Sequence, residues 1–241
     1  MELFYTNYIE NDAAYLEGQE HIHCTRVLRN KPGDTIHFTD GRGETYLAKI
    51  VSVQRKHTEL QIVETLPGRE SRCYRLHMGV ALTKNIERYE WFLEKAVEIG
   101  VDEITPLVCE HSVRSTFKHE RAERLILSAM KQSLKSKLPV LNKATDFSEF
   151  LSNTAFSENS LLMMGHCREG EKESVCSLLK SHNPEGSPDI VILIGPEGDF
   201  SVNEIEVLLE SGFKAMHMGE SRMRVETAAL TAVNAVYLNY L

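Results

Sequence analysis

The sequence predicts two domains, a small and mostly antiparallel β domain followed by a larger α/β domain built on a parallel sheet. Three observations predict this. Through about residue 66, short β-type runs are separated by turn residues. Beyond that point strand-like apolar runs alternate with helix-like stretches. One of those runs, DIVILIG, enters a Gly-Pro-Glu-Gly loop directly. With 241 residues, 42% hydrophobic and 26% charged, the chain is long enough for one large core or two modest ones.

In the first domain a strand near Leu3 to Tyr5 precedes EHIHCTRVLR, a helix on which Ile22, Val27 and Leu28 line one face. The runs TIHFTD, YLAKIVSV and TELQIVETL follow as a meander, turning at Pro32-Gly33-Asp34 and at Asp40-Gly41-Arg42-Gly43. Leu66-Pro67-Gly68-Arg69-Glu70-Ser71 suits a linker, which places the domains at 1–68 and 72–241. The second domain reads as YRLHMGVAL, ERYEWFLEKAVEIG, EITPLV, HERAERLILSAMKQSL, SLLMMG and DIVILIG in turn. Trp91, Phe92, Ala96 and Ile99 are the expected buried stripe of their helix. From about Val225 to Leu241 apolar residues occur almost all the way round, as in a helix buried in the core or at a subunit interface.

Several function classes are excluded or disfavoured. No apolar run approaches the roughly 20 residues of a membrane span, and the first residues lack the layout of a signal peptide, so a cytoplasmic protein is expected. Five scattered cysteines without a C-x-x-C pair argue against a disulfide framework and a metal site. His21-Ile22-His23-Cys24 has donor atoms without a second ligand pair and reads as packed helix residues. There is no P-loop, and the only G-x-G falls in the predicted hairpin. The net charge of -8 gives a polyanion no general attraction, so nucleic-acid contact needs a local basic patch.

Two stretches carry the chemistry. In the first, Gly195-Pro196-Glu197-Gly198 leads through Asp199-Phe200 to Ser201-x-x-Glu204, a capping box that starts a helix. Gly195 and Gly198 would let backbone approach a ligand and Pro196 would stiffen the loop, although an ordinary βα turn shares this pattern. The second is Met218-Gly219-Glu220-Ser221-Arg222-Met223-Arg224-Val225-Glu226-Thr227-Ala228. Two arginines and a glutamate between a strand end and a buried helix are costly unless paired or used on a ligand, the alternative being a capped helix with an Arg224-Glu226 pair.

These motifs, with Phe200-Ser201, Met223-Arg224 and Glu226-Thr227-Ala228, resemble the two signature loops of the bacterial small-subunit rRNA (uracil-N3) methyltransferases, the RsmE family of SPOUT methyltransferases. The likeness extends over nearly the whole chain. His23, Val27-Leu28-Arg29 and Gly33-Asp34 are similar to the family's PUA-like N-terminal domain, while Lys84, Arg88, Lys95-Ala96, Glu98-Ile99-Gly100-Val101, Ile104 and Pro106 match the start of its catalytic half. Departures are Asp199 in place of a usual glycine, Ser221-Arg222, Val225, His111 in place of an arginine, and Leu134-Lys135 in place of Gly-Arg.

The resemblance implies a PUA-like β-barrel followed by a trefoil-knotted α/β SPOUT domain, a homodimer, and the cofactor S-adenosylmethionine. It implies cofactor contacts from Leu193, Ile194, Gly195, Pro196, Glu197 and Gly198, and from Met218, Gly219, Ser221, Met223, Arg224, Thr227 and Ala228. The implied reaction is methylation of a uridine N3 in 16S rRNA of the small ribosomal subunit, without metal. Uracil N3 becomes nucleophilic only as its proton leaves, so Arg224 is the expected stabiliser of the developing anion, and Glu226 either accepts the proton or holds Arg224. Residues 111–143 hold eight basic side chains against two acidic ones. RNA contacts are expected from Arg26, Arg29, Lys84, Arg88, His111, Arg114, Lys131 and Lys135, although a solvated helix face reads equally well for any one lysine. Alternatives are a SPOUT enzyme acting on another RNA atom, such as a ribose 2′-oxygen, and a non-catalytic RNA-binding protein.

Overall fold

The computed structural model describes residues 2–68, 72–182 and 186–241. It divides into two compact units, the first made of Met1–Ser71 with Leu127–Leu138 and the second of Arg72–Ile126 with Pro139–Leu241. Part of the expected linker, Arg69 to Ser71, lies outside the described residues.

The first unit holds β1 (Leu3–Tyr5), β2 (Ile9–Glu10), β3 (Ala13–Glu17), α1 (Gly18–Ile22) with a π-helical turn at His23–Val27, β4 (Thr35–Thr39), β5 (Glu44–Val53) and β6 (His57–Pro67). Its sheet runs β1-β4-β5-β6-β3-β2, antiparallel except for β1 beside β4. Strand alternation turns Ile36, Phe38, Ala48, Ile50 and Leu60 inward with Phe4 and Leu16. The expected helix is there, but its faces are the reverse of the expectation. Cys24 is fully buried and His21 is buried with its Nδ1 2.8 Å from Thr58 Oγ1, while Ile22, Val27 and Leu28 are exposed. The π turn breaks the 3.6-residue period on which the apolar face was read, so the phase is lost after Ile22.

The second unit contains β7 (Arg75–Ala81), α2 (Ile86–Ile99), β8 (Glu103–Val108), β9 (Val140–Leu141), β10 (Thr145–Asp146), α4 (Phe147–Asn153), β11 (Leu161–Gly165), β12 (Glu173–Ser174), α5 (Val175–Ser181), β13 (Asp189–Ile194), α6 (Val202–Glu210), β14 (Lys214–His217) and α7 (Val225–Asn239). Helix α3 (His119–Gln132) begins in the second unit and ends in the first. All strand pairs of this sheet are parallel, in the order β10-β8-β7-β13-β11-β14-β12, with β9 also on β8. β13 is late in sequence and central in space, between β7 and β11. That position explains its unbroken apolar run, since a parallel strand with neighbours on each side and layers above and below has no solvent face.

Two helices differ in detail from expectation. The buried stripe of α2 is Tyr89, Phe92, Leu93, Ala96 and Val97, so Phe92 and Ala96 are buried as expected, Ile99 is half-buried, and Trp91 is 44% exposed at the stripe's edge. On α7 the buried positions Ala229, Ala232, Val233 and Val236 form one face, whereas Leu238 is exposed. The helix packs on α2, α5, β7 and β13.

The sheet's amino-terminal edge is fixed by Asp102, which accepts from both terminal guanidinium nitrogens of Arg72 at 3.2 Å and from the Leu76 N–H at 3.0 Å. Both side chains are largely buried. Removing one partner of such a pair is costlier than never having built it. Asp102→Ala is therefore expected to lower unfolding free energy by about 3–5 kcal/mol, read as a fall in the urea midpoint; a loss below about 1 kcal/mol would show the pair to behave as a surface bridge.

Candidate functional site

The carboxyl ends of β11, β13 and β14 lie side by side, with Gly165 in register with Ile194 on one flank and Met216 on the other. Chain order and spatial order part company at β13, and in open α/β sheets ligands bind at such a switch point, outside the strands' carboxyl ends. A cleft of about 810 Å³ opens there, within the second unit. Its walls are the loops that follow the three strands: Gly165–Arg168 with Lys172, Ile194–Asp199, and Met218–Arg224 running into Val225 and Ala228. The lining is mixed, with Ile194, Met216, Met218, Met223 and Val225 as apolar surface beside several charged groups. Mixed lining and this volume suit a ligand of nucleoside size.

The Gly-Pro-Glu-Gly loop is held from several directions at once. Glu197 Oε1 accepts the Lys84 N–H at 2.8 Å, just beyond β7. Asp199 accepts the N–H of Cys167 through Oδ2 and that of Phe200 through Oδ1, both at 2.9 Å. Glu204 is buried and accepts the Ser201 N–H at 2.8 Å and the Glu110 N–H at 2.9 Å, so the expected capping box is formed and also reaches past β8. His111 Nδ1 meets the Asp199 carbonyl at 3.0 Å.

The two loop glycines are closely surrounded by protein. A Cβ at Gly198 would stand 2.8 Å from His111 Cβ, and one at Gly195 would stand 3.0–3.2 Å from Phe200. Their missing side chains make room for His111 and Phe200, and both glycines also line the cleft.

Of the residues expected to touch cofactor, eleven line the cleft and two do not. Leu193 is fully buried in the core, and Thr227 is exposed on α7, where its carbonyl accepts from Thr231. Arg224, the amino-terminal flanking residue of α7, lines the cleft. Glu226 does not; its carboxylate is almost buried and lies 3.7 Å from Arg88 Nε on α2. The expected Arg224–Glu226 pairing is thus replaced by Arg88–Glu226, because the first turn of α7 faces α2.

Residues expected at RNA have divided uses. Lys84, His111 and Arg114 surround the Gly-Pro-Glu-Gly loop, with Arg114 Nη2 donating to the Lys84 carbonyl at 3.2 Å. In the first unit Arg26 and Arg29 are exposed, Lys131 is paired with Glu20, and Lys135 is partly buried, which depresses its ammonium pKa. The wall that sequence reasoning missed is Gly165-His166-Cys167-Arg168 with Lys172. Arg168 Nε donates to the Phe200 carbonyl at 3.1 Å, and His166 has a buried Nδ1 without a hydrogen-bond partner among the described residues. Its imidazole pKa is lowered, by burial first and then by Lys172. A strand ending in glycine before a polar run, SLLMMG-HCRE, was the available signal.

The RNA methyltransferase domain family matches residues 69–237. The chain belongs to this family. Residues 16–63 match the RNA methyltransferase PUA domain. The ribosomal RNA small subunit methyltransferase E of Rickettsia conorii is 28% identical over 231 residues, covering 95% of this chain and 91% of that protein. Among solved structures, the probable rRNA-methyltransferase of Porphyromonas gingivalis is 37% identical with a TM-score of 0.88, covering 100% of this chain and 98% of that one. A Legionella pneumophila methyltransferase in complex with S-adenosylmethionine is 25% identical, with a TM-score of 0.79 and coverage of 98% and 95%.

Glu204 is the buried carboxylate that two strand ends share. Glu204→Ala leaves the Ser201 and Glu110 amides without their acceptor and should cost about 2–4 kcal/mol, the sum of a lost cap and a buried unsatisfied donor. Thermal unfolding checks this, and an unchanged melting temperature would show that water replaces the carboxylate without cost.

Proposed function

We propose that this member of the RNA methyltransferase family transfers a methyl group from S-adenosylmethionine to N3 of a uridine in 16S rRNA of the small ribosomal subunit. The observation that carries the reading is the convergence of three parallel strand ends on one cleft lined by the Gly-Pro-Glu-Gly loop and the loop holding Arg224. The ribosomal RNA small subunit methyltransferase E of Rickettsia conorii matches this chain over 91% of its length, and the bound cofactor of the Legionella relative supports the choice of ligand. The buried, unpartnered His166 Nδ1 and the mixed lining of the cleft fit an adenosine-bearing molecule.

When bound, the cofactor supplies an electrophilic sulfonium methyl, which leaves alignment and activation of the acceptor to the protein. Arg224 lines the cleft and makes no ion pair among the described residues, so its charge is available to the anion that develops on the uracil oxygens. Glu226 is held by Arg88 away from the cleft, which supports a positioning role over that of base. N3 lies on the Watson–Crick edge, so the acceptor must be an unpaired or extruded base.

On this reading residues 1–68 form the PUA-like β-barrel that binds RNA and 72–241 the catalytic domain, with cytoplasmic location. A trefoil knot is part of the proposal, supported by β13 entering between β7 and β11 and by α7 coming from β14 to pack on β7 and β13. A homodimer is supported by the exposed apolar residues Trp91 on α2 and Leu238 and Leu241 at the end of α7.

The test uses purified protein, labelled S-adenosylmethionine and small subunits from cells lacking the gene, with the product mapped by nucleoside mass spectrometry and reverse-transcription stops. One N3-methyluridine in small-subunit rRNA is expected; label on a ribose oxygen or on tRNA would discard the substrate. In the same assay Arg224→Ala should lower kcat by about 10²–10³ with the cofactor still bound, and normal turnover would remove its role. Glu226→Gln should keep the acidic limb of the pH–rate profile in place, whereas loss of that limb would make Glu226 the base.

A further inference from the structure

We propose that Asp199 is a positioning residue that holds the 166–168 wall of the cleft in its cofactor-ready arrangement, an inference that rests on the reading of the cleft as the S-adenosylmethionine site. Asp199 has φ +66°, in the left-handed region where glycine is at home and aspartate is tolerated. A side chain there needs a compensating interaction, and Asp199 has two. Its carboxylate oxygens are divided between loops: Oδ1 takes the Phe200 N–H of its own loop, and Oδ2 takes the Cys167 N–H of the loop after β11.

Glycine could make neither bond, and the second is the one that joins two loops. Cys167 is exposed and lies beyond the last ladder partner of β11, Gly165, so no sheet hydrogen bond holds its amide. The remaining tie between these two loops near the cleft, Arg168 Nε to the Phe200 carbonyl, also lands next to Asp199. His111 meets the Asp199 carbonyl on the other side, so one residue links three strand-end loops. With the carboxylate absent, the 166–168 segment keeps its sequence and loses its tether. The cleft-ready arrangement becomes a fraction of the population, and apparent affinity falls by that fraction.

Asp199→Gly isolates the tether, because glycine adopts φ +66° without strain. Alkylation of the cofactor-free protein, followed cysteine by cysteine by mass spectrometry, should show Cys167 reacting several-fold faster, with the exposed Cys73 and Cys176 unchanged as internal references. By calorimetry the dissociation constant for S-adenosylmethionine should rise about tenfold, as expected if a tenth of the molecules remain cleft-ready. KM for the cofactor should rise alike while kcat changes by less than about twofold, a split that general destabilisation would not give. Asp199→Asn, which keeps one acceptor oxygen and the backbone preference, should fall between the two.

Unchanged Cys167 reactivity together with unchanged cofactor affinity in Asp199→Gly would overturn the proposal. Faster alkylation of all three cysteines alike would overturn it too, by showing general loosening. If the unaltered protein fails to bind S-adenosylmethionine, the reading of the cleft fails first, and the cofactor role of Asp199 falls with it.

Discussion

The second unit is organised by three carboxylates on and beside one short loop, each accepting backbone N–H groups that the sheet cannot satisfy. Where parallel strands end, the following amides have left the ladder and are open to another acceptor. Glu197, Asp199 and Glu204 supply it to Lys84 beyond β7, Cys167 beyond β11 and Glu110 beyond β8. Charge-assisted bonds of this kind are about twice as strong as neutral ones. The loop after β13 thus acts as a hub for the ends of three other strands, and the central position of β13 in the sheet puts the hub within reach of all three.

This arrangement decides the electrostatics of the cleft. Carboxylates at a strand end would ordinarily neutralise nearby arginines, but here they are committed to amides. Arg222 and Arg224 line the cleft without an ion pair among the described residues, and Glu226, the acid nearest to Arg224 in sequence, is taken by Arg88. An acidic loop can therefore coexist with an unneutralised arginine a few residues along the chain, which is what stabilisation of a developing anion needs.

The sequence revealed local things and missed contacts between distant ones. The meander, the unbroken run of β13, the capping box at Ser201 and the loop at Arg224 each have a signature within about ten residues. The 166–168 wall has only a weak one, a strand ending in glycine before a polar run, because its role comes from the register of Gly165 with Ile194 and Met216 across sheet neighbours that lie far apart in the chain. The same limit applies to the glycines: spacing shows that Gly198 lacks a side chain, and only the fold shows His111 beside that room. Asp199 in place of a usual glycine has no reading in sequence alone; its left-handed φ and its bond to Cys167 belong to the fold. Errors of helix face had a simpler origin, since a π turn after Ile22 turns Val27 outward and Trp91 lies at the edge of a stripe whose Phe92 and Ala96 are buried.

How an acidic member of an RNA-modifying family meets a polyanion follows from where its cations are spent. The basic stretch from 111 to 143 is less basic in the fold than in the sequence. Arg121 is bound by both oxygens of Glu90 and Lys131 by Glu20. Each cation already neutralised contributes little counterion release, so affinity for arbitrary RNA and its salt dependence should both be small for a protein of this family. Discrimination must then come from shape: a target presented by folded RNA and an extruded base that fits the cleft, with the few free arginines and lysines setting register. Weak general attraction is an advantage for an RNA-modifying enzyme that must choose among many similar nucleotides, because phosphate contacts raise affinity for every RNA alike and leave the ratio between right and wrong sites unchanged.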